Sequence, residues 1–209
     1  MKNKSLQGKN IIWLGSSVTY GHANSGVSMA EYVEENEGCR CFKYAVSGTT
    51  LADFSSNSYV SRLKDIKEPE KCDLFICQLS TNDAFQNKPL GVVTGNDDID
   101  SLDTKTVCGA IEFIILYVRK KWNCKIAFYT NPPYHNDSYR KMVESLKEIA
   151  EKHEISILDL WNDKKLLSMD EKERSDFLKL NMADPIHPNG KGYKDWWTPV
   201  FTDFIKEII

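Results

Sequence analysis

Five short runs of largely apolar residues punctuate the chain: Asn10 to Leu14, Cys41 to Val46, Leu74 to Leu79, Lys125 to Thr130 and Ile155 to Leu160. Each is flanked by polar or turn-forming residues. Near-continuous hydrophobicity over so short a stretch is the pattern of a strand in a parallel sheet covered on both faces. Between the runs the apolar positions recur at helical spacing. Ser28, with Glu31 three residues later, predicts an N-cap and capping box. A short helix is predicted over Tyr59 to Ile66, stopping before Pro69. The longest helix is predicted over Thr104 to Trp122, with Val107, Ala110, Ile111, Ile114, Ile115 and Val118 on one face. Ser138 to His153 carries Met142, Leu146 and Ile149 at the same spacing. Gly190 to Ile209 is predicted as a closing helix with a break near Pro199.

Strands alternating with helices imply βαβ units with right-handed crossovers, and hence a three-layer α/β/α sandwich on a five-stranded parallel sheet. No repeat, low-complexity tract or linker interrupts the pattern, so one domain over residues 1–209 is expected. The segment Ala84 to Asp103 stands apart because it is long, contains glycine and is acidic toward its end, at Asp97, Asp98, Asp100 and Asp103. It reads equally as a binding loop over a site or as a solvated insertion.

Composition narrows the classes. With 41% hydrophobic and 27% charged residues the chain has an ordinary globular balance, and 209 residues are enough for a sizeable core. A net charge of −3 with no basic block argues against nucleic acid as a partner. No apolar run approaches the roughly 20 residues of a membrane span. Met1 to Asn10 is polar and lacks the apolar stretch of a secretory signal, so a cytoplasmic location is expected unless a leader has been removed. The six cysteines, Cys39, Cys41, Cys72, Cys77, Cys108 and Cys124, match no zinc spacing and are expected to be reduced and structural.

Candidate chemistry lies just after the strands. Gly15-Ser16-Ser17-Val18-Thr19-Tyr20-Gly21 follows the first strand, at the carboxyl edge where open α/β sheets bind ligands. A serine hydroxyl needs a base to become a nucleophile. Alone, this segment also reads as a phosphate cradle or a plain turn, although it carries neither Gly-rich nucleotide motif. Asp184-Pro185-Ile186-His187-Pro188 places a carboxylate and an imidazole three residues apart on a proline-stiffened turn. The aspartate can fix the ring tautomer and leave Nε2 as a base, or the two can be a surface pair at a helix entrance. His22, His135 and His153 lack such a partner at comparable spacing. Ser47-Gly48 follows the second strand and Ser80-Thr81-Asn82-Asp83 the third, so both fall on the edge that carries Ser17. A glycine N–H and an asparagine amide suit an oxyanion, although a turn glycine and a helix cap are competing readings.

Together these four segments resemble the SGNH (GDSL) hydrolase family. They occur in the family's order and span the chain from Gly15 to His187. The resemblance implies a flavodoxin-like fold with strand order 2-1-3-4-5. It implies Ser17 as nucleophile, His187 as general base and Asp184 as the orienting acid. The oxyanion hole would be the Ser17 and Gly48 N–H groups with the Asn82 side chain, and no metal or organic cofactor is expected. Two positions depart from the family pattern. Ser16 stands where aspartate is usual before the nucleophile, and Ser80 stands where glycine is usual, with a reshaped acyl pocket as the expected consequence.

The implied activity is hydrolysis of a carboxylic ester through an acyl-enzyme, on a small-molecule or glycan substrate such as an acetylated carbohydrate. An acyltransferase with a sugar acceptor and a non-catalytic flavodoxin-like binding module are the alternatives. Tyr193, Trp196 and Trp197 read as core of the last helix or as faces that stack on a sugar, and Trp13 reads as core.

Overall fold

A computed structural model describes residues 5–94 and 97–209 of the protein. Five parallel strands form one sheet: β1 (Asn10–Gly15), β2 (Arg40–Ala45), β3 (Leu74–Gln78), β4 (Lys125–Tyr129) and β5 (Ser156–Leu158), in the order β2-β1-β3-β4-β5. Each expected strand is present within one or two residues, and the order is the one implied by the family resemblance.

Along β1 the side chains alternate between the faces. Ile12 and Leu14 pack with Phe75, Cys77, Ile126 and Phe128 on one side, and Ile11 and Trp13 with Leu74, Ile76, Ala127 and Tyr129 on the other. Both faces are dry, which is why the runs read as continuous rather than alternating. Trp13 is fully buried.

The helices are α1 (Ser17–Tyr20), α2 (Met29–Glu37), α3 (Tyr59–Asp65), α4 (Thr81–Phe85), α5 (Val107–Trp122), α6 (Asp137–Lys152), α7 (Lys164–Ser168), α8 (Glu171–Asn181) and α9 (Thr198–Ile208). α3, α5 and α6 cover the first face, while α2 and α9 cover the second. Ser28 caps α2 through the expected capping box with Glu31. No helix among the described residues is long and apolar enough to cross a membrane.

Two regions differ from expectation. The closing helix is not broken at Pro199; instead Gly192–Trp197 widens into π-helical turns just before it, and Pro199 sits in the first turn of α9. Proline offers no N–H and its ring crowds the preceding turn, so the ladder shifts upstream: Thr198 N–H bonds the Tyr193 carbonyl five residues back, and Thr198 Oγ1 donates to the same oxygen at 2.7 Å. Tyr193, Trp196 and Trp197 are buried on this segment and are core, not sugar-stacking faces. Finally, α7 and α8 occupy a stretch where no helix was expected. Few of their residues are apolar, but Asp170 and Glu173 form a capping box at the start of α8.

The segment from Ala84 to Asp103 runs along the flank of α5 and α6. Residues 95 and 96 of it lie outside the described residues. On that flank Thr94 N–H bonds the buried Glu112 carboxylate at 3.1 Å, and Asp97 lies 4.0 Å from His153. Of the described residues in this segment, Phe85 alone lines the cavity beside Ser17 and His187. The six cysteines are free, with the Cys39 and Cys41 sulfurs 3.8 Å apart.

Candidate active site

β1 delivers the chain to the carboxyl edge of the sheet, where Gly15 turns into the four-residue helix α1. A Cβ at Gly15 would lie 1.7 Å from Thr19 Oγ1, so no side chain fits between the strand end and the first helical turn. That closeness sends Ser17 out of the strand with its hydroxyl toward the cleft. The turn is held from several directions. Gln78, the last residue of β3, accepts bonds from Ser16 and Thr19. Tyr193 from the closing helix donates to the Val18 carbonyl at 2.7 Å. Arg62 of α3 donates to the Gly15 carbonyl at 2.9 Å and to the Tyr44 carbonyl at 2.6 Å, drawing the ends of β1 and β2 together.

His187 lies 170 residues from Ser17 in sequence, yet its Nε2 is 2.7 Å from Ser17 Oγ. Its Nδ1 is 2.8 Å from Asp184 Oδ2. The other carboxylate oxygen of Asp184 accepts the backbone N–H groups of Ile186 at 2.7 Å and His187 at 2.8 Å. Burial pushes the Asp184 carboxyl up, but the His187 ring and these two N–H groups outweigh it and hold the group below the usual carboxylate value. An ionised carboxylate only accepts, so Nδ1 carries a proton, which leaves Nε2 as the nitrogen that can take the serine proton. Asn131, just after β4, fixes the turn from beneath by donating to the Ile186 carbonyl at 2.8 Å.

Gly48 and Asn82 reach the same edge from β2 and β3. Gly48 has φ of +80°, which a side chain would strain, and open space where a Cβ would stand. The Asn82 amide donates one hydrogen to the Thr49 carbonyl at 3.0 Å and keeps a second one available. Asp83 is fully buried and binds the N–H groups of Leu51 at 2.7 Å and Ala52 at 3.0 Å. Burial pushes its pKa up to about 6, with those two N–H groups working against the rise. Ser80 is not among the residues that line the cavity described below. It is buried, caps α4 and donates to the Thr49 carbonyl at 3.1 Å.

A cavity of about 920 Å³ adjoins the histidine, with His187 and Asp184 in its wall. Phe85, Tyr134, Leu178, Met182 and Ile186 make it mainly apolar, and His135, Arg174 and Lys179 add polar groups. The Phe85 and Tyr134 rings stack with centroids 5.9 Å apart and planes 14° apart, and Phe85 is 57% exposed. His22 packs on the other side of His187 at 5.5 Å between ring centres, while His153 is buried against Glu112.

The structure therefore joins Ser17, His187 and Asp184 directly and brings Gly48 and Asn82 to the same edge through Thr49. Sequence reasoning named Asp83 without its role and missed Gln78, Asn131, the Phe85–Tyr134 pair and α8. Of these, only α8 had a local signal, the Asp170–Glu173 capping box.

Residues 13–194 match the model of the GDSL-like Lipase/Acylhydrolase family. A comparison with curated proteins finds no match. Solved structures with the same fold include a Lactobacillus plantarum protein, 18% identical, with TM-score 0.78 over 97% of this chain and 99% of that one. They also include a member of the lipolytic protein G-D-S-L family from Veillonella parvula, 17% identical, with TM-score 0.65 over 97% and 98%. A third is the acetyl xylan esterase AlAXEase, 15% identical, with TM-score 0.63 over 94% and 99%. At such identities these likenesses carry the fold, while the family match spans most of the chain: the protein belongs to the GDSL-like lipase/acylhydrolase family of ester-hydrolysing enzymes.

Proposed function

We propose that the protein is a serine esterase in which Ser17, His187 and Asp184 form the triad. The observation that carries this reading is the unbroken chain from Ser17 Oγ to His187 Nε2 at 2.7 Å and from Nδ1 to Asp184 Oδ2 at 2.8 Å. In the first half-reaction Ser17 Oγ bonds to the ester carbonyl carbon as its proton passes to His187 Nε2. The carbonyl oxygen becomes an oxyanion facing the N–H groups of Ser17 and Gly48 and the free amide hydrogen of Asn82. The C–O bond to the alcohol then breaks, and His187 returns the proton to the leaving oxygen. Water attacks the acyl-enzyme with His187 again as base, releasing the acid and restoring the serine hydroxyl.

For the substrate we put forward a short acyl group, such as acetyl, on a ring-bearing alcohol, with an acylated carbohydrate first. The leaving oxygen has to lie within reach of His187, which forms part of the cavity wall, and the exposed Phe85 ring offers a face for a sugar. The likeness in fold to an acetyl xylan esterase agrees with this choice.

The test combines a fluorophosphonate probe with a panel of p-nitrophenyl esters of rising chain length and acetylated sugars. The wild-type enzyme should label at Ser17 and turn over the short esters fastest. Ser17→Ala should lose labelling and about 10⁵-fold or more in kcat, while keeping its circular-dichroism spectrum. Normal turnover by Ser17→Ala would refute the assignment.

A further inference from the structure

Beneath the nucleophile turn lies a buried side chain that the ester-cleaving reaction does not itself use. Gln78 is fully buried, and its Oε1 takes four donors: Ser16 N–H at 2.9 Å, Ser16 Oγ at 3.3 Å, Thr19 N–H at 3.4 Å and Thr19 Oγ1 at 2.9 Å. Two of these are backbone N–H groups, which cannot accept. The amide must therefore turn its oxygen to the turn, and the alternative rotamer would set NH₂ against N–H. The four donors bracket Ser17 on both sides. Thr19 Oγ1 is also 2.6 Å from the Tyr129 hydroxyl, which extends the network to β4. A Cβ on Gly15 would fall 3.0 Å from this same Oε1, so the turn and the amide are in direct packing contact.

The arrangement also accounts for Ser16. A carboxylate at that position would confront an amide oxygen with no proton between them. A serine hydroxyl can donate instead, so Ser16 and Gln78 are chemically matched.

We propose that Gln78 is the positioning residue of the nucleophile turn, with Ser16 as its matched partner. Through four hydrogen bonds to the residues flanking Ser17, it aims the Ser17 hydroxyl at His187 and the Ser17 N–H at the oxyanion. This inference rests on Ser17 being the nucleophile. Gln78 touches no substrate, so its loss acts on kcat and on the reactivity of the serine rather than on KM.

The experiment compares wild type, Gln78→Met and Gln78→Glu with p-nitrophenyl acetate and a fluorophosphonate, well below each variant's Tm. Gln78→Met keeps the length and loses the acceptor. It should lower kcat and the labelling rate together by roughly tenfold to a hundredfold, the scale of a small misplacement of reacting groups, with KM within about threefold. Gln78→Glu keeps an acceptor oxygen and should recover most of the lost rate. If Gln78→Met fails to fold, Ser16→Ala and Thr19→Val each remove one donor and should lower kcat severalfold with KM unchanged. Wild-type kcat and labelling in Gln78→Met, or in both donor variants, would overturn the proposal and leave Gln78 a purely structural residue. So would a Gln78→Glu enzyme that folds but is no more active than Gln78→Met. A wild-type enzyme that never labels fails differently: it refutes the esterase reading, and the inference falls with it.

Discussion

The two sides of the cleft are built in contrasting ways. On the histidine side, four consecutive residues do most of the work. Asp184 binds the N–H groups of residues 186 and 187 with one oxygen and the His187 ring with the other, so carboxylate, backbone and imidazole are fixed in one tight turn. On the oxyanion side the bonds that join the two loops span long stretches of sequence. Asp83 reaches Leu51 and Ala52 across 32 and 31 residues of sequence, Asn82 reaches Thr49 across 33, and Arg62 ties in the ends of β1 and β2. The exposed side thus carries most of its own scaffold, with Asn131 as a support from outside the turn, whereas the buried side relies on the sheet to bring β2 and β3 together. Damage to the first should change chemistry with little change in fold. Damage to the second should affect both, because its supports are buried.

That contrast can be broken in four places. Asp184→Asn should have the largest effect, about 10³- to 10⁴-fold in kcat, by releasing the ring tautomer that leaves Nε2 as base; thermal unfolding beside steady-state kinetics should show only a small change in Tm. Asn82→Ala should cost roughly a hundred- to a thousandfold in kcat with KM nearly unchanged, since the lost donor acts on the transition state. An Asn82→Ala enzyme as fast as wild type would remove that side chain from the oxyanion hole. Gly48→Ala keeps the N–H but strains a residue at φ of +80°, so a loss of about tenfold or less in kcat and a Tm lower by a few degrees are expected.

The smallest effect is a pH dependence. Burial raises the Asp83 pKa in the folded chain to about 6 from the ordinary aspartate value of 3.8. The folded state therefore binds the proton more tightly than the unfolded state. The resulting contribution is full below the unfolded value and is lost as pH rises through about 6. Tm followed from pH 4 to pH 7 should include a downward component from Asp83, and that component should be missing in Asp83→Asn. Asp184 has the opposite sign. Its carboxyl sits below the usual value, so its contribution is present above the unfolded pKa and is lost only as pH falls through the lower folded one. An identical Tm slope in wild type and Asp83→Asn would show that burial does not raise the Asp83 pKa on folding.

Much of the fold was legible because strands with both faces buried leave a plain mark, and the five runs map onto β1 to β5. The histidine side was legible because its carboxylate and imidazole, Asp184 and His187, are only three residues apart. The helices α7 and α8 were not, because their burial depends on the neighbours they meet rather than on a strong apolar stripe of their own. Gln78 was also hidden. In sequence it is one polar residue at the end of an apolar strand, and nothing nearby reveals that its oxygen meets a turn about 60 residues earlier.

By itself the sequence determined which groups could do chemistry and on which edge of the sheet they would emerge, since strand hydrophobicity and parallel connection put every strand's end on one side. The tertiary structure alone decided the distances. The 2.7 Å between Ser17 and His187 and the four bonds on Gln78 Oε1 depend on how the sheet and helices pack. Hydrogen bonds weaken over tenths of an ångström, while local sequence preferences fix only the element that carries each group.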